Sequence, residues 1–319
     1  MNSASTRLTL VLDRAQTRSS LDLLPIVDAV SSALIAISRN EVSAPPRIAA
    51  RSAAGLLGTM PAWVPGVGLA AKVVSVFSAA GTNGHSAHEG VVALFDEETG
   101  APLALMNASE LTAVRTAAVA TVSMRALANA HPTKIAVVGS GVQARAQLAF
   151  LAAVAPTVPV VVGGRNQLVA RQVATGHPRG SSGPIEAAVK DADVIFCCTG
   201  SRTPVIRRSW LAEGAHVSSV GGSAGPELGA DTIQDGSLFV EWEGAVASAP
   251  PAGAHELQGL SEKDVALLGS VLDGDHPGRT LASELTVFKS TGHAAFDVAA
   301  ASVVYDIARS RGIGSAIDL

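Results

Sequence analysis

The sequence predicts an α/β protein of two domains, one of them built on a parallel sheet, and three observations support this. The chain has 319 residues, enough for two domains of ordinary size. Hydrophobic residues make up 48% of the chain and aromatic residues only 3%, so a large core must be built mainly from Ala, Val and Leu. From residue 134 onward, short apolar runs alternate with helical stretches, which is typical of βαβ units.

The first third of the chain mixes strand and helix signals. Residues 8–12 predict a short strand, and residues 23–37 carry apolar side chains at helical spacing. Further strands are predicted at 73–77, 91–95 and 102–106, and an Ala-rich helix at 111–127.

The middle of the chain carries the alternating pattern. Strands are predicted at 134–138, 159–162, 194–198, 216–220 and 238–240. Helices are predicted from just after residues 139–144 to about residue 153, at 167–174 and at 185–189. We interpret residues 180–183 as a loop. The tail, residues 286–309, predicts one long Ala-rich helix, which could pack back on the first domain and make that domain discontinuous.

Charge, hydropathy and cysteine content argue against nucleic-acid binding, a membrane span and a disulfide. Lys and Arg number 23 and Asp and Glu 27, a net charge of −4 without any basic block, which argues against nucleic acid as a partner. No apolar run approaches the roughly 18 residues of a membrane span, and no signal segment is evident at the N-terminus. The only cysteines, Cys197 and Cys198, are adjacent and cannot form an ordinary disulfide with each other. We expect a cytoplasmic protein without membrane contact.

The strongest local signal is a glycine-rich turn between an apolar strand and a helix. It has a G-x-G-x-x-A pattern and consists of Gly139, Ser140, Gly141, Val142, Gln143 and Ala144. Gly139 permits a tight turn, Gly141 lets the backbone approach a pyrophosphate, and Ala144 lets helix and strand pack closely. The pattern predicts a dinucleotide site, and a purely structural turn is the alternative.

The residues after the next strand indicate which dinucleotide is bound. A site for NAD(H) usually places Asp or Glu there to accept from the ribose 2′-hydroxyl. This chain has no acid in residues 160–166 but carries Arg165 and Asn166. Arg165 could pair with a 2′-phosphate, which favours NADP(H) over NAD(H). A solvent-exposed arginine without a ligand is the alternative.

Three cations lie in unexpectedly apolar surroundings. Arg47 follows a Pro-Pro pair, Lys72 lies within the apolar run 69–77, and Arg115 lies in the predicted helix 111–127. Such side chains either extend along a surface to water or are held in a pocket by an anion. A substrate carboxylate is an anion that Arg can bind in two places.

Two further patterns carry less weight. His85 and His88, with Glu89 beside them, have metal-ligand spacing, but no third ligand is evident and we expect no metal site. Residues 221–225 match G-x-S-x-G around Ser223, yet the Gly225-Pro226 pair predicts a loop where a nucleophile elbow needs a helix. We therefore disfavour a hydrolase.

Several segments together resemble the ornithine cyclodeaminase/mu-crystallin family. They are residues 57–63, the strand around Lys72, and residues 86–95, 112–118, 138–144, 214–221, 226–228 and 286–290. They follow one another from about residue 45 to 305 and so cover most of the chain. The Arg-Thr-Ala-Ala run followed by the glycine-rich turn is fairly specific, whereas a dinucleotide turn alone would not be.

The resemblance implies a homodimer that acts on small amino or imino acids with a nicotinamide cofactor. It implies a Rossmann domain at 119–292 and a discontinuous α+β domain for substrate binding and dimerisation at 1–118 and 293–319. The cations that match Arg47, Lys72 and Arg115 hold the substrate carboxylate in that family and polarise the reacting centre.

One departure from the family pattern indicates the reaction. Ser223 stands where cyclodeaminases carry an Asp, and a serine hydroxyl is a poor base at neutral pH. The ketimine-reducing mu-crystallin branch resembles this chain both there and in the arginine after the second Rossmann strand. We therefore predict reduction of Δ1-pyrroline-2-carboxylate or Δ1-piperideine-2-carboxylate with NADPH, with Lys72 or a water near Ser223 handling the proton. Ornithine cyclodeaminase, or a nucleotide-binding protein without turnover, is the alternative.

Overall fold

A computed structural model describes residues 8–77 and 88–319. The chain divides into two compact units. The first unit comprises the described parts of Met1–Ala36, Asn40–Arg115 and Ala294–Leu319, and the second comprises Ile37–Arg39 and Thr116–His293. The division thus places the C-terminal helix with the N-terminal part of the chain.

The secondary structure alternates along most of the chain. The strands are β1 (Thr9–Val11), β2 (Ile48–Arg51), β3 (Gly55–Val64), β4 (Gly68–Phe77), β5 (His88–Phe95), β6 (Pro102–Asn107), β7 (Ile135–Val138), β8 (Val160–Gly163), β9 (Gly180–Gly183), β10 (Val194–Cys197), β11 (His216–Ser219), β12 (Ser237–Val240), β13 (Ala266–Leu267), β14 (Thr286–Lys289) and β15 (Ser315–Ile317). The helices are α1 (Arg14–Ser19), α2 (Leu23–Ser38), α3 (Ala108–Leu127), α4 (Val142–Val154), α5 (Gln167–Ala174), α6 (Ile185–Val189), α7 (Ala230–Asp235), α8 (Gly244–Ala247), α9 (Leu268–Asp273) and α10 (Ala294–Arg311). Among the described residues, no helix has both the length and the apolar content to cross a bilayer.

The first unit is built on a seven-stranded sheet with the order β15-β1-β6-β5-β4-β3-β2. The pairs are antiparallel except β1 with β6. Helix α10 lies against β3 and β4, and its alanines at 294, 295 and 299–301 are buried. Because alanine side chains are short, the helix can approach the sheet closely, and polar groups on α10 and β4 can then meet.

The second unit is built on an eight-stranded parallel sheet with the order β13-β12-β14-β11-β10-β7-β8-β9. Alternate residues of β7 belong to two different hydrophobic clusters, so both faces of the sheet are covered. The chain runs outward from β7 to β8 and β9, and then crosses to β10 on the other side. The carboxyl end of β7 is therefore the switch point at which such sheets bind ligands.

The predicted α/β class is confirmed, with a Rossmann-type parallel sheet and a second unit of mixed strands and helices. Two local predictions are wrong. Residues 286–289 form the strand β14 rather than the start of the tail helix, because this segment is buried on both faces of the sheet and shows no alternation. Gly180–Gly183 is the edge strand β9 rather than a loop, since its backbone pairs with β8 although its side chains favour no strand.

Candidate functional site

The glycine-rich turn in the second unit joins the end of β7 to the start of α4. Gly139 has φ +125°, and a Cβ there would lie 2.5 Å from the carbonyl oxygen of Cys198. Its amide donates to the Gly163 carbonyl oxygen at 2.8 Å, which ties the turn to β8. Only glycine satisfies this backbone at position 139.

Gly141 is required for a different reason. It is the N-cap of α4 in extended backbone, and a Cβ added there would meet no atom within 4 Å. The turn therefore leaves open space directly beside the unpaired amides of the first turn of the helix. Ala144 is completely buried against the sheet. The geometry fits a dinucleotide whose pyrophosphate approaches the backbone at Gly141.

Side chains next to the turn agree with a ligand at this place. Val142 is 67% exposed at the start of α4, and Ser140 is half-buried in the turn itself. The Oε1 atom of Gln143 is buried and accepts no hydrogen bond from the described residues. A buried acceptor without a donor is costly, so it is expected to find one in a bound molecule or water.

Arg165 and Asn166 follow β8, as the sequence predicts. Arg165 is exposed. The Oδ1 atom of Asn166 caps α5 by accepting from the amides of Leu168 at 3.1 Å and Val169 at 3.2 Å. The structure thus gives Asn166 a clear role in starting the helix and leaves the Arg165 side chain at the solvent side of the strand end.

The first unit brings two of the predicted cations to one carboxylate. Lys72 on β4 and Arg115 on α3 are only 4% and 7% exposed, and Asp297 on α10 is 1% exposed. The Nζ atom of Lys72 donates to Oδ2 of Asp297 at 2.6 Å. The Nε atom of Arg115 lies 3.3 Å from Oδ1 of the same carboxylate, close enough for an ion pair but without the alignment of a hydrogen bond.

The electrostatics of this cluster leave one positive charge in surplus. Burial lowers the pKa of Lys72, Asp297 raises it, and Arg115 and Arg47 lower it again, to about 8. Burial raises the pKa of Asp297, but Lys72 and Arg115 more than offset this and hold that pKa below its usual value. Arg47 lies in the exposed segment before β2. At neutral pH the buried cluster thus pairs two cations, Lys72 and Arg115, with the single carboxylate of Asp297. This arrangement is suited to binding a further anion.

Ser223 is exposed on the loop that follows β11. Helix α7 begins only at Ala230, so no helix starts directly after Ser223. A nucleophile elbow requires that helix, and the structure therefore gives no support to a hydrolase.

A buried acid that the sequence analysis missed holds the start of this loop. Glu227 is fully buried and accepts from both the amide and the hydroxyl of Thr199 at 2.6 Å. It also accepts from the hydroxyl of Ser219 at 2.7 Å and from the amide of Gly221 at 2.9 Å. Four donors to one carboxylate define the path of the chain just before Ser223.

Lys289 completes the support of the loop. Its Nζ atom donates to the Gly221 carbonyl oxygen at 2.7 Å and to the Ser219 hydroxyl at 2.9 Å, and it lies 3.1 Å from Glu256. The sequence signal was a lysine within the apolar run of β14, which is the same kind of signal that identified Lys72.

Asp297 is a third residue that the sequence analysis missed, after Glu227 and Lys289. Its signal was an acid within an apolar stretch of an Ala-rich helix, Ala-Ala-Phe-Asp-Val-Ala, where a charged side chain needs a partner. Among the residues described, no group of three or more His, Cys, Asp or Glu side chains could hold a metal ion. The predicted pair His85 and His88 lies outside the residues whose side chains are described.

Comparison with known proteins places the chain in a family. The sequence model of the ornithine cyclodeaminase/mu-crystallin family matches residues 7–312. An alanine dehydrogenase of Archaeoglobus fulgidus is 30% identical over 317 residues, covering 97% of this chain and 98% of the relative. A Delta(1)-pyrroline-2-carboxylate reductase of Bacillus cereus is 32% identical over 263 residues, covering 78% of this chain and 80% of the relative.

A solved structure with the same fold supports this placement. The Delta(1)-pyrroline-2-carboxylate reductase of Thermococcus litoralis, in complex with NADH and L-proline, superposes with a TM-score of 0.86 at 26% identity. The match covers 96% of this chain and 99% of the other. The resemblance read from the sequence motifs is thus confirmed, and the chain belongs to the ornithine cyclodeaminase/mu-crystallin family.

Proposed function

We propose that this protein reduces a C=N bond next to a carboxylate with NADPH. The enzyme class common to the named relatives, an NAD(P)-dependent oxidoreductase acting on C=N or CH–NH bonds, applies to this chain. The proposed substrates are the cyclic ketimines Δ1-pyrroline-2-carboxylate and Δ1-piperideine-2-carboxylate, and the products are the cyclic L-amino acids proline and pipecolate. The observation that carries the proposal is the buried cluster of Lys72, Arg115 and Asp297 with its surplus positive charge.

The cations of the first unit would bind and orient the substrate. Arg115 and Arg47 would hold the carboxylate, since a guanidinium can donate two parallel hydrogen bonds to it. Lys72, whose pKa is about 8, carries a proton on Nζ at neutral pH and could keep the imine nitrogen protonated. A protonated imine is the better hydride acceptor, so the rate should fall as pH rises.

The second unit would hold the cofactor. Residues 139–144 fit the pyrophosphate, and Arg165 at the end of β8 would pair with the 2′-phosphate of NADPH. When bound, the nicotinamide supplies a hydride to the imine carbon. The NADH in the Thermococcus litoralis structure keeps NAD(H) as the alternative for this chain.

The deciding experiment screens NADPH oxidation, followed by absorbance, over cyclic ketimine carboxylates and over linear imines formed from 2-oxo acids and ammonia. We expect net consumption of NADPH with a cyclic ketimine. The protein with bound cofactor should release little ammonia from ornithine, because Ser223 offers no carboxylate as a base. Rapid ornithine deamination would replace the proposal by the cyclodeaminase alternative, and nucleotide binding without any turnover would indicate a binding protein.

A variant of Ser223 sharpens the distinction. Ser223→Asp should depress imine reduction by placing a negative charge on the loop after β11, and the variant can be checked for traces of ornithine deamination. The homodimer and the cytoplasmic location implied above stay predictions, and light scattering of the purified protein tests the first of them.

A further inference from the structure

We propose that Asp297 is the positioning residue of the carboxylate site, holding the Lys72 ammonium and the Arg115 guanidinium together on one anchor so that a single positive charge is left for the substrate. This inference rests on the proposed function, because it concerns the site that would bind the substrate carboxylate. It extends that proposal to a residue on α10 that is not itself required to touch the substrate.

The first argument is geometric. Each oxygen of the Asp297 carboxylate faces one cation, Lys72 at 2.6 Å and Arg115 at 3.3 Å, and all three side chains are more than nine-tenths buried. The cations come from β4 and α3, two elements that lie far from α10 along the chain. Two buried like charges repel each other, and the shared carboxylate is what permits their approach.

The second argument concerns which other charges act on Lys72. Among the described residues they are Asp297, Arg115 and Arg47, and of these three the first alone is negative. On the neighbouring strands, Met60 and Val92 stand opposite Lys72 and carry no charge. Without Asp297, burial and two cations would all favour the neutral amine. The acid therefore preserves the charge of Lys72 as well as its position.

The kinetic test measures the pH profile of kcat/KM for the imino acid in Asp297→Asn. The wild-type profile should fall above pH about 8, where Lys72 loses its proton. In Asp297→Asn this limb should move down by about one pH unit or more, because an opposite charge at contact distance has been removed. KM should also rise. Asp306→Asn makes the same change at an exposed position of α10 and should leave profile and KM unaltered. Asp297→Glu, which keeps the charge, should restore the alkaline limb.

A second readout needs no substrate. The chain has only five lysines, so NMR of lysine labelled with ¹³C at Cε can follow each one through a pH titration, with Lys72→Met to assign the signal. Lys72 should titrate at lower pH in Asp297→Asn than in the wild type. Equal titration in both proteins would overturn the inference, whatever the enzyme reduces. A shifted titration in a protein that reduces no ketimine would instead refute the proposed function alone.

Removing the acid could prevent folding, because it leaves two unpaired buried cations. In that case the comparison is made between Arg115→Met and the double variant Arg115→Met/Asp297→Asn, each of which carries one buried cation fewer. Lys72 should titrate at lower pH in the double variant. The same titration in both would contradict the role of Asp297.

Discussion

Alanine at the two glycines of the turn after β7 should have opposite effects on stability and on cofactor binding. Gly139→Ala tests whether the turn needs glycine for its own backbone. Gly141→Ala tests whether the turn needs glycine to leave room for a ligand. Both changes add a single methyl group, so each variant is the control for the other.

The structure gives the magnitude for Gly139→Ala. An alanine at φ +125° is strained, which costs about 1–3 kcal/mol. The added Cβ would also lie 2.5 Å from the Cys198 carbonyl oxygen, a distance that the backbone of the neighbouring strand must relieve by moving. We expect a loss of at least about 3 kcal/mol, which corresponds to a fall in Tm on the order of 6–12 °C.

Gly141→Ala should leave the fold intact. The backbone at position 141 has φ −85° and ψ −163°, which alanine adopts readily, and the Cβ would contact nothing. Stability should be unchanged or higher by about 0.4–1 kcal/mol, because alanine restricts the unfolded chain. NADPH affinity should fall at least about tenfold, since the methyl group fills the space through which the pyrophosphate approaches.

The assay is thermal unfolding of each variant with and without NADPH, supplemented by calorimetric titration of the cofactor. Gly139→Ala should unfold at lower temperature in the absence of ligand. Gly141→Ala should unfold like the wild type without ligand but gain little from NADPH. A Gly141→Ala protein that binds NADPH as tightly as the wild type would refute the assignment of this turn to the pyrophosphate.

Three further predictions concern single residues. Arg165→Ala should weaken NADPH binding by about 1–3 kcal/mol in calorimetric titrations and spare NADH, because only the 2′-phosphate contact is lost. Arg115→Ala should raise KM for the imino acid and lower kcat/KM in steady-state assays while leaving cofactor affinity nearly unchanged, since the lost contact is to the carboxylate. His216 is fully buried with its pKa lowered to about 3, chiefly by burial, so the unfolded chain binds more protons between pH 6.5 and 3. The free energy of unfolding, measured with urea, should therefore decrease as pH is lowered through that window. At pH 5 this residue should account for a loss of about 2 kcal/mol relative to neutral pH, and His216→Gln should lose that dependence.

Each of these has a result that contradicts it. A wild-type protein that prefers NADH would contradict the inference that Arg165, at the end of β8, binds the 2′-phosphate. Arg125→Ala, at an exposed position of the same helix as Arg115, is the control for the second test, and equal kinetics in both variants would remove Arg115 from the substrate site. An unaltered acid dependence in His216→Gln would mean that other groups set the pH response.

Local sequence patterns were sufficient to predict those features that depend only on residues adjacent in the chain. The glycine-rich turn could be read from the sequence because strand, turn and helix follow one another in the chain. The cations Lys72 and Arg115 could be noticed because a charge in an apolar run is unusual. Strand β9 could not be found, since an edge strand of glycine and serine is formed only by the hydrogen bonds that β8 offers.

The sequence by itself determined the α/β class, the position of the glycine-rich turn and the candidate cations, since these depend on periodicity and on residues adjacent in the chain. Only the tertiary structure showed that Lys72 and Asp297, 225 positions apart, share a hydrogen bond, and that Glu227 and Lys289 support the loop of Ser223. An acid among the alanines at the start of α10 indicates that a partner is needed but not which one. The partner is decided by the packing of α10 on the sheet, which brings distant charges to contact distance and removes water from between them.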